Sequence, residues 1–345
     1  MRAAIHGITF HLPSRIETND DLQRQNPEWQ MDKIAAKSGI LCRHIAAADE
    51  TASDLGYRAA AALLERKLVP VDEIDFVLYC TQSPDHYLPS SACVLQHRLG
   101  LKKHVGAFDF NLGCSGFIYG LQIAKSLVVS GIARNVLLIT ADTYTKFANP
   151  HDRTVRTLFG DGAAATLIGL TDGPGEIGDF VVGTDGSGAD RLIVPAGGCR
   201  LPRSAQTAIE AVDSAGCVRS PNDLYMDGPA LFTFALTTVP KVVSSLMTKT
   251  GRSVDDYDWF VYHQANKYML ENLFSRSKIP PQKAAQAYEM IGNTVSSSIP
   301  IAIETYVQAG KIVPGQRLML VGFGVGFSWG ACEVTWGNAA VGSVA

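Results

Sequence analysis

Residues 107–131, AFDFNLGCSGFIYGLQIAKSLVVSG, read as a strand, a tight turn and a helix in immediate succession. Residues 105–110 have the length and apolarity of a short buried strand, and Asn111, Leu112 and Gly113 turn the chain. Phe117, Leu121, Ala124 and Val128 then recur at helical spacing, so Cys114 opens a helix and its thiol stands on a strand-to-helix elbow. There the unpaired N–H groups and the positive end of the helix favour thiolate over thiol and offer donors to an anionic intermediate. The chemistry this predicts is acyl transfer through a thioester. The alternative is a cysteine acting as a small core hydrophobe, as most free cysteines do.

Outward from the elbow, strands alternate with helices. Residues 2–10 and 76–80 read as strands, 54–68 as a helix that Ser53 can cap, and 91–99 as another helix. Residues 135–141, with the core VLLITA, read as a buried parallel strand. This alternation predicts an α/β fold. Two short helices, from Asn19 and over 31–38, flank the loop Asn26-Pro27-Glu28-Trp29. Trp29 is either a partly buried anchor or a stacking surface for a flat ligand. The stretch FGDGAAATLIG at 159–169 lacks the Gly-Lys-Ser/Thr of a phosphate loop and the third glycine of a dinucleotide fingerprint, so it reads as close packing. Residues 173–188, rich in Gly and Asp, predict a weakly structured join.

Beyond that join the chain repeats itself. VDEIDFVLY at 71–79 matches VDDYDWFVY at 254–262, and VVSGIARNVLLITA in the first half has a counterpart in VQAGKIVPGQRLMLVG. Two matches in the same order predict a duplication, with residues 1–172 carrying the cysteine and 173–345 forming a similar α/β half. Three features of the second half are candidates for chemistry. His263 leaves the apolar strand 259–262 in the polar sequence His-Gln-Ala-Asn, at a strand's C-terminal end where ligands gather in open α/β sheets. Asn293, in Ile-Gly-Asn-Thr, is either a helix-entry turn residue or a functional amide. The run Gly322-Phe323-Gly324-Val325-Gly326 either lets backbones pack closely or aims N–H groups at a ligand.

Composition narrows the partners. Of 345 residues 46% are hydrophobic, enough for a large core or for two domains sharing an interface. A formal net charge of -3 without any Lys/Arg block argues against nucleic acid and against an anionic membrane surface. The first residues lack a secretory apolar region, and the late apolar run 318–327 is too short and glycine-rich to span a bilayer, so a cytoplasmic protein is expected. Seven cysteines without a C-x-x-C pair predict neither a disulfide framework nor a zinc site, and no two of the eight histidines stand i, i+4; no metal is expected.

Cys114 in NLGCSGF, His263 in HQAN, Asn293 in GNT and the late GFGVGFSWG, in that order, resemble the motifs of the β-ketoacyl-acyl carrier protein synthase III family of the thiolase superfamily. The likeness runs from HGITFHLP to WGACEVTW. It implies a duplicated five-layered α/β/α/β/α fold, a homodimer, acyl-CoA and acyl carrier protein as partners, and no cofactor beyond the coenzyme A thioester consumed as substrate. Cys114 would take the acyl group, with the N–H groups of Cys114 and Val325 as an oxyanion hole. His263 and Asn293 would hold the malonyl thioester carbonyl and the enolate formed when carbon dioxide leaves, each presenting an N–H. Trp29 and Arg153 correspond to nucleotide-end contacts, and Lys37 stands near a second one. Leu88 falls where a partner subunit's residue closes the acyl pocket.

The sequence departs from the family pattern in the long segment 197–227, in Val325 and in Tyr268 beside Lys267. These departures leave room for a specialised acyltransferase that does not decarboxylate. A Cys-His-Asn thioester hydrolase and a non-catalytic scaffold of the same fold are the competing classes.

Overall fold

The computed structural model describes residues 1–337. Five strands, β1 (Arg2–His11), β2 (Phe76–Cys80), β3 (Gly106–Phe110), β4 (Asn135–Asp142) and β5 (Gly162–Thr171), pair in the order β1-β5-β4-β2-β3. A second sheet of β6 (Glu176–Thr184), β7 (Trp259–Tyr262), β8 (Arg317–Gly324) and β9 (Ser328–Thr335) pairs in the order β7-β8-β9-β6. Six helices complete the layers: α1 (Ala52–Glu65), α2 (Ser91–Arg98), α3 (Gly116–Val129), α4 (Gly228–Thr250), α5 (Lys267–Arg276) and α6 (Ser298–Gln308). Helices α1 and α2 cover the outer face of the first sheet, α4 and α5 that of the second, and α3 and α6 lie between the sheets. The result is the five-layered α/β/α/β/α arrangement.

Burial follows from this layering. Strand β4, parallel to β2, is buried along its whole length, as a strand covered on both faces requires. In α3, Phe117, Ile118, Leu121, Ala124 and Val128 are buried and join a core shared with residues of α6 and both sheets. A helix that is apolar over most of its surface is stable only in such a position. The repeated segments fold alike. Val71–Glu73 and Val254–Asp256 are each a single 3-10 turn leading into β2 and β7. Asp75 accepts the Arg134 N–H at 2.6 Å, and Asp258 accepts the Arg317 N–H at 2.8 Å. The glycines that follow α3 and α6, Gly131 and Gly310, both take a left-handed φ, +76° and +67°.

Three expectations change, and one long helix is added. Among the described residues strand β3 is an edge strand, bonded to β2 alone and only half buried, with Phe108 turned outward against Phe76. Residues 173–188 do not form a loose join, because 176–184 are β6, the edge of the second sheet, where alternating exposure replaces an apolar run. Helix α1 is capped by Thr51 in a reciprocal bond with Asp54, while the Ser53 hydroxyl donates to Asp85 at 2.5 Å. Helix α4, 23 residues long, is apolar and long enough to cross a bilayer, and it packs Phe234, Val239, Val242, Val243 and Leu246 against the second sheet.

Candidate active site

The strand ends converge. Cys114 follows β3, His263 follows β7 directly, Val325 follows β8, and Asp142 is the last residue of β4. All four lie at or just beyond the C-terminal ends of their strands, where an α/β sheet leaves backbone groups free to meet a ligand. Cys114, His263, Asn293 and Gly324 line one cavity of about 560 Å³, with Leu192, Met226, Leu231, Phe232, Phe234 and Phe323 among its apolar walls. Exposed Lys37, Arg153 and Tyr268 also line it, so its polar end meets solvent.

The glycine turn is what lets the two halves touch. A Cβ on Gly324 would stand 2.8 Å from Cys114 Cβ and 3.0 Å from its Sγ, and one on Gly322 would stand 2.8 Å from the Cys114 carbonyl oxygen. Real Cβ atoms do not approach so closely, so glycine is required at both places. The same turn presents an N–H to the sulfur. The backbone N–H groups of Cys114 and Val325 both lie near enough to the Cys114 sulfur to favour its anionic form. Val325 is fixed from its other side, its carbonyl accepting the Ser328 hydroxyl at 2.8 Å, and Ser328 Oγ lies 2.6 Å from Ser115 Oγ.

Helix α3 begins at Gly116, two residues after Cys114, which alters the electrostatics expected from sequence. Burial pushes the thiol up to about 12, the Asp142 carboxylate adds to the rise, and the two N–H groups only partly oppose it. Cys114 is therefore a neutral thiol at pH 7, not the thiolate anticipated. His263 is also neutral, since burial pushes its imidazole down to about 3 against a small opposing effect of the Val295 carbonyl. Its Nδ1 lies 2.7 Å from Ser298 Oγ, its backbone N–H donates to Val321 O at 2.8 Å, and its ring meets Phe323 edge to face. Asn293 Oδ1 accepts the Val295 N–H at 2.9 Å, which turns Nδ2 toward the cavity, 3.5 Å from His263 Nε2. The turn contact and an amide facing the cavity coexist in one side chain.

Asp142 carried no signal in the sequence beyond ending an apolar strand. Burial pushes its carboxyl up to about 7, although it accepts the Gln82 N–H at 2.8 Å and the N–H and hydroxyl of Ser296. It thus ties the first half to the turn that carries Asn293. A carboxyl whose folded pKa lies above its ordinary 3.8 binds more protons folded than unfolded, so stability falls as pH rises from about 4 to about 7. Asp142→Asn is expected to flatten that slope in thermal melts across the same window. Removing the charge beside the sulfur also lowers the thiol pKa, so iodoacetamide should alkylate Cys114 faster at pH 8. An unchanged slope together with an unchanged alkylation rate would rule out this electrostatic coupling.

The ligand contacts expected at the outer end divide. Arg153 and Lys37 line the cavity: Arg153 Nη2 donates to Ala215 O at 2.7 Å, and Lys37 Nζ sits 4.9 Å from the centre of the Tyr268 ring, which stacks on Phe232. Trp29 does not line it. It is 4% exposed, packed with Leu22, Met31 and Ile34, and has no free face on which a base could stack. Leu88 is 82% exposed beside equally exposed Tyr87 and lies outside the cavity of its own chain. The long 197–227 segment folds a small hairpin, Ala211–Val212 with Val218–Arg219, whose turn supplies the Ala215 carbonyl to Arg153; Arg219 pairs with Asp152 and Asp213.

Residues 108–186 match the family model described as 3-Oxoacyl-[acyl-carrier-protein (ACP)] synthase III, and residues 247–336 match its C-terminal counterpart. The chain is 38% identical to a β-ketoacyl-[acyl-carrier-protein] synthase III of Chlamydia caviae over 334 residues, covering 96% of each. A synthase of the same name from Syntrophomonas wolfei is 36% identical, with 98% of each chain covered. A 2.1 Å crystal structure of a 3-oxoacyl-(acyl-carrier-protein) synthase III superposes with a TM-score of 0.95 at 51% identity, covering 97% of this chain and 100% of the other.

Proposed function

Because the chain belongs to the β-ketoacyl-acyl carrier protein synthase III family of thiolase-like condensing acyltransferases, we propose that Cys114 carries the acyl group while His263 and Asn293 hold the extender. In the first step acyl-CoA exchanges its thioester with the Cys114 thiol, releasing free coenzyme A. The exchange is proton-neutral overall, since the proton lost by Cys114 leaves on the coenzyme A sulfur. In the second step a malonyl thioester on acyl carrier protein loses carbon dioxide, and its electron pair becomes an enolate between the N–H donors of His263 and Asn293. The enolate carbon attacks the acyl thioester, the resulting oxyanion rests on the N–H groups of Cys114 and Val325, and the C–S bond breaks to give the β-ketoacyl product. Each such donor is typically worth about 3 kcal/mol in the transition state.

Negative charge thus enters as a carboxylate and moves to the enolate, to the second oxyanion and finally to sulfur. A buried sulfur with a pKa of about 12 takes up a proton at that point, resetting the thiol. The observation that carries the reading is the pairing of Asn293 Nδ2 with His263 Nε2 at 3.5 Å on one wall of the cavity that Cys114 also lines. A Cys-His-Asn hydrolase needs its carboxamide on the far side of the imidazole from the thiol. Here the far nitrogen, Nδ1, faces Ser298 instead.

Residues 1–172 and 173–345 act as duplicated halves that each supply part of one site. The enzyme works in the cytoplasm as a homodimer, and Leu88 closes the acyl pocket of the partner; the exposed Tyr87-Leu88 loop and the unpaired edge of β3 support this. Coenzyme A lies along Arg153 and Lys37. Incubation with acyl-CoA and malonyl-carrier tests the whole reading: carbon dioxide and a β-ketoacyl product are expected, and free acid alone would overturn it. Arg153→Ala should raise KM for acyl-CoA roughly 5- to 10-fold at unchanged kcat, as loss of one exposed charge-assisted contact does. Trp29→Phe should leave that KM within about twofold, since its ring touches only core; equal effects of the two changes would count against the division.

A further inference from the structure

Ser298, the first residue of α6, is 3% exposed, and its hydroxyl has two partners among the described residues. One is the Gln264 N–H, which donates to Oγ at 3.3 Å; the other is His263 Nδ1 at 2.7 Å. A serine hydroxyl has one proton to give, and a buried donor left unpaired is costly. Gln264 can only donate, so Nδ1 is the acceptor available to that proton. The neighbouring serines are committed elsewhere, Ser296 to Asp142 and Ser297 to the carbonyls of Thr140 and Gly162. The Val295 carbonyl, the other polar group near the ring, accepts the Ser298 N–H and keeps a second lone pair, which makes it the competing acceptor for a ring proton.

We propose that Ser298 is a positioning residue: its hydroxyl donates to His263 Nδ1 and so holds the imidazole as the Nε2–H tautomer, making the nitrogen beside Asn293 a donor. This rests on the function proposed above and specifies how its second oxyanion site is built. Nε2–H and the Asn293 Nδ2–H then cannot bond each other across their 3.5 Å separation. Two donors held side by side without a mutual bond are instead free to converge on a third atom, an oxygen of the extender thioester. One short turn sets both, because the Val295 N–H fixes the amide of Asn293 and the Ser298 hydroxyl fixes the ring of His263. With Nδ1 protonated instead, Nε2 would offer a lone pair to the cavity and repel an enolate oxygen.

The tautomer is readable without turnover. In full-length enzyme labelled with ¹⁵N-histidine, with His263 assigned by comparison with His263→Gln, nitrogen NMR at neutral pH should show Nε2 protonated and Nδ1 bare. Ser298→Ala should lose that preference and slow condensation roughly 10- to 100-fold, the rate equivalent of one buried hydrogen bond. Its acylation by acyl-CoA should stay within about twofold, and Ser298→Thr, which keeps the hydroxyl, should recover both tautomer and rate. Nδ1–H in the wild type would overturn the proposal. So would a Ser298→Ala enzyme that condenses normally, or one that loses acylation and condensation equally. A wild-type enzyme showing Nε2–H but releasing no carbon dioxide would sink the function proposed above while leaving the hydrogen-bond assignment intact.

Discussion

Cys114→Ala abolishes the acyl-enzyme: on exposure to acyl-CoA, mass spectrometry finds no acyl adduct, and condensation falls by roughly 10⁴-fold or more, as when a covalent nucleophile is removed. The size of the effect follows from the cavity. Six other cysteines exist, and none of them lines it. Water cannot substitute usefully, because no other group in the cavity forms the covalent thioester that splits the reaction into two steps. The enolate site is untouched by the change, so Cys114→Ala should still release carbon dioxide slowly from a malonyl thioester, yielding acetyl thioester rather than a longer product. An acyl adduct persisting on the variant, or carbon dioxide release vanishing with it, would separate the molecule from the proposed division of labour. The same thiol also dates the charge movement: with a pKa near 12, alkylation of wild-type Cys114 by iodoacetamide should rise steadily with pH from 7 through 10.

Much of this arrangement is legible in the chain, and the exceptions have a common cause. The elbow around Cys114, strand β4 and the Val-Asp repeat are visible because each rests on local periodicity or on an Asp that bonds a nearby backbone. Cys114, His263 and Asn293 are visible because polar residues break apolar runs at strand or helix ends. What sequence misjudges depends on the surroundings. An apolar strand looks the same at the edge of a sheet as in its middle, so β3 reads as buried. Strand β6 hides in glycines and aspartates because an edge strand needs an apolar residue only where it faces the core. The thiol pKa is misjudged for the same reason: the helix end is local, whereas the burial and the Asp142 charge that outweigh it come from tertiary packing. Ser296 and Ser298 stand in a polar run just before an apolar helix, a pattern that suggests capping, and only the folded chain brings Asp142 and His263 against them. Trp29 shows the converse: of the two roles its polar loop allowed, anchor or stacking surface, the fold takes the buried anchor.

Asn293→Ala separates the two half-reactions. The variant should acylate Cys114 at close to the wild-type rate, because the sulfur, its own N–H and the Val325 N–H are unaltered. Condensation should fall by roughly 10² to 10³, the usual consequence of deleting one oxyanion donor. The substitution has a second effect, however. Asn293 Oδ1 satisfies the buried Val295 N–H, and stranding that donor costs about 1–3 kcal/mol of stability. A loss of activity in the alanine variant alone would therefore leave a structural explanation open. Asn293→Asp removes that ambiguity. Its Oδ1 still accepts from Val295, so the turn keeps that bond, but the second oxygen puts an acceptor where the amide donated; the desolvation of a buried carboxylate lowers the melting temperature, which is therefore matched against that of Asn293→Ala. If the donor is what matters, Asn293→Asp must acylate normally at a pH where its carboxyl is ionised and condense no better than Asn293→Ala. An aspartate variant that condenses at the wild-type rate would mean the carboxamide serves only the turn, and the enolate would have to be held by His263 without it.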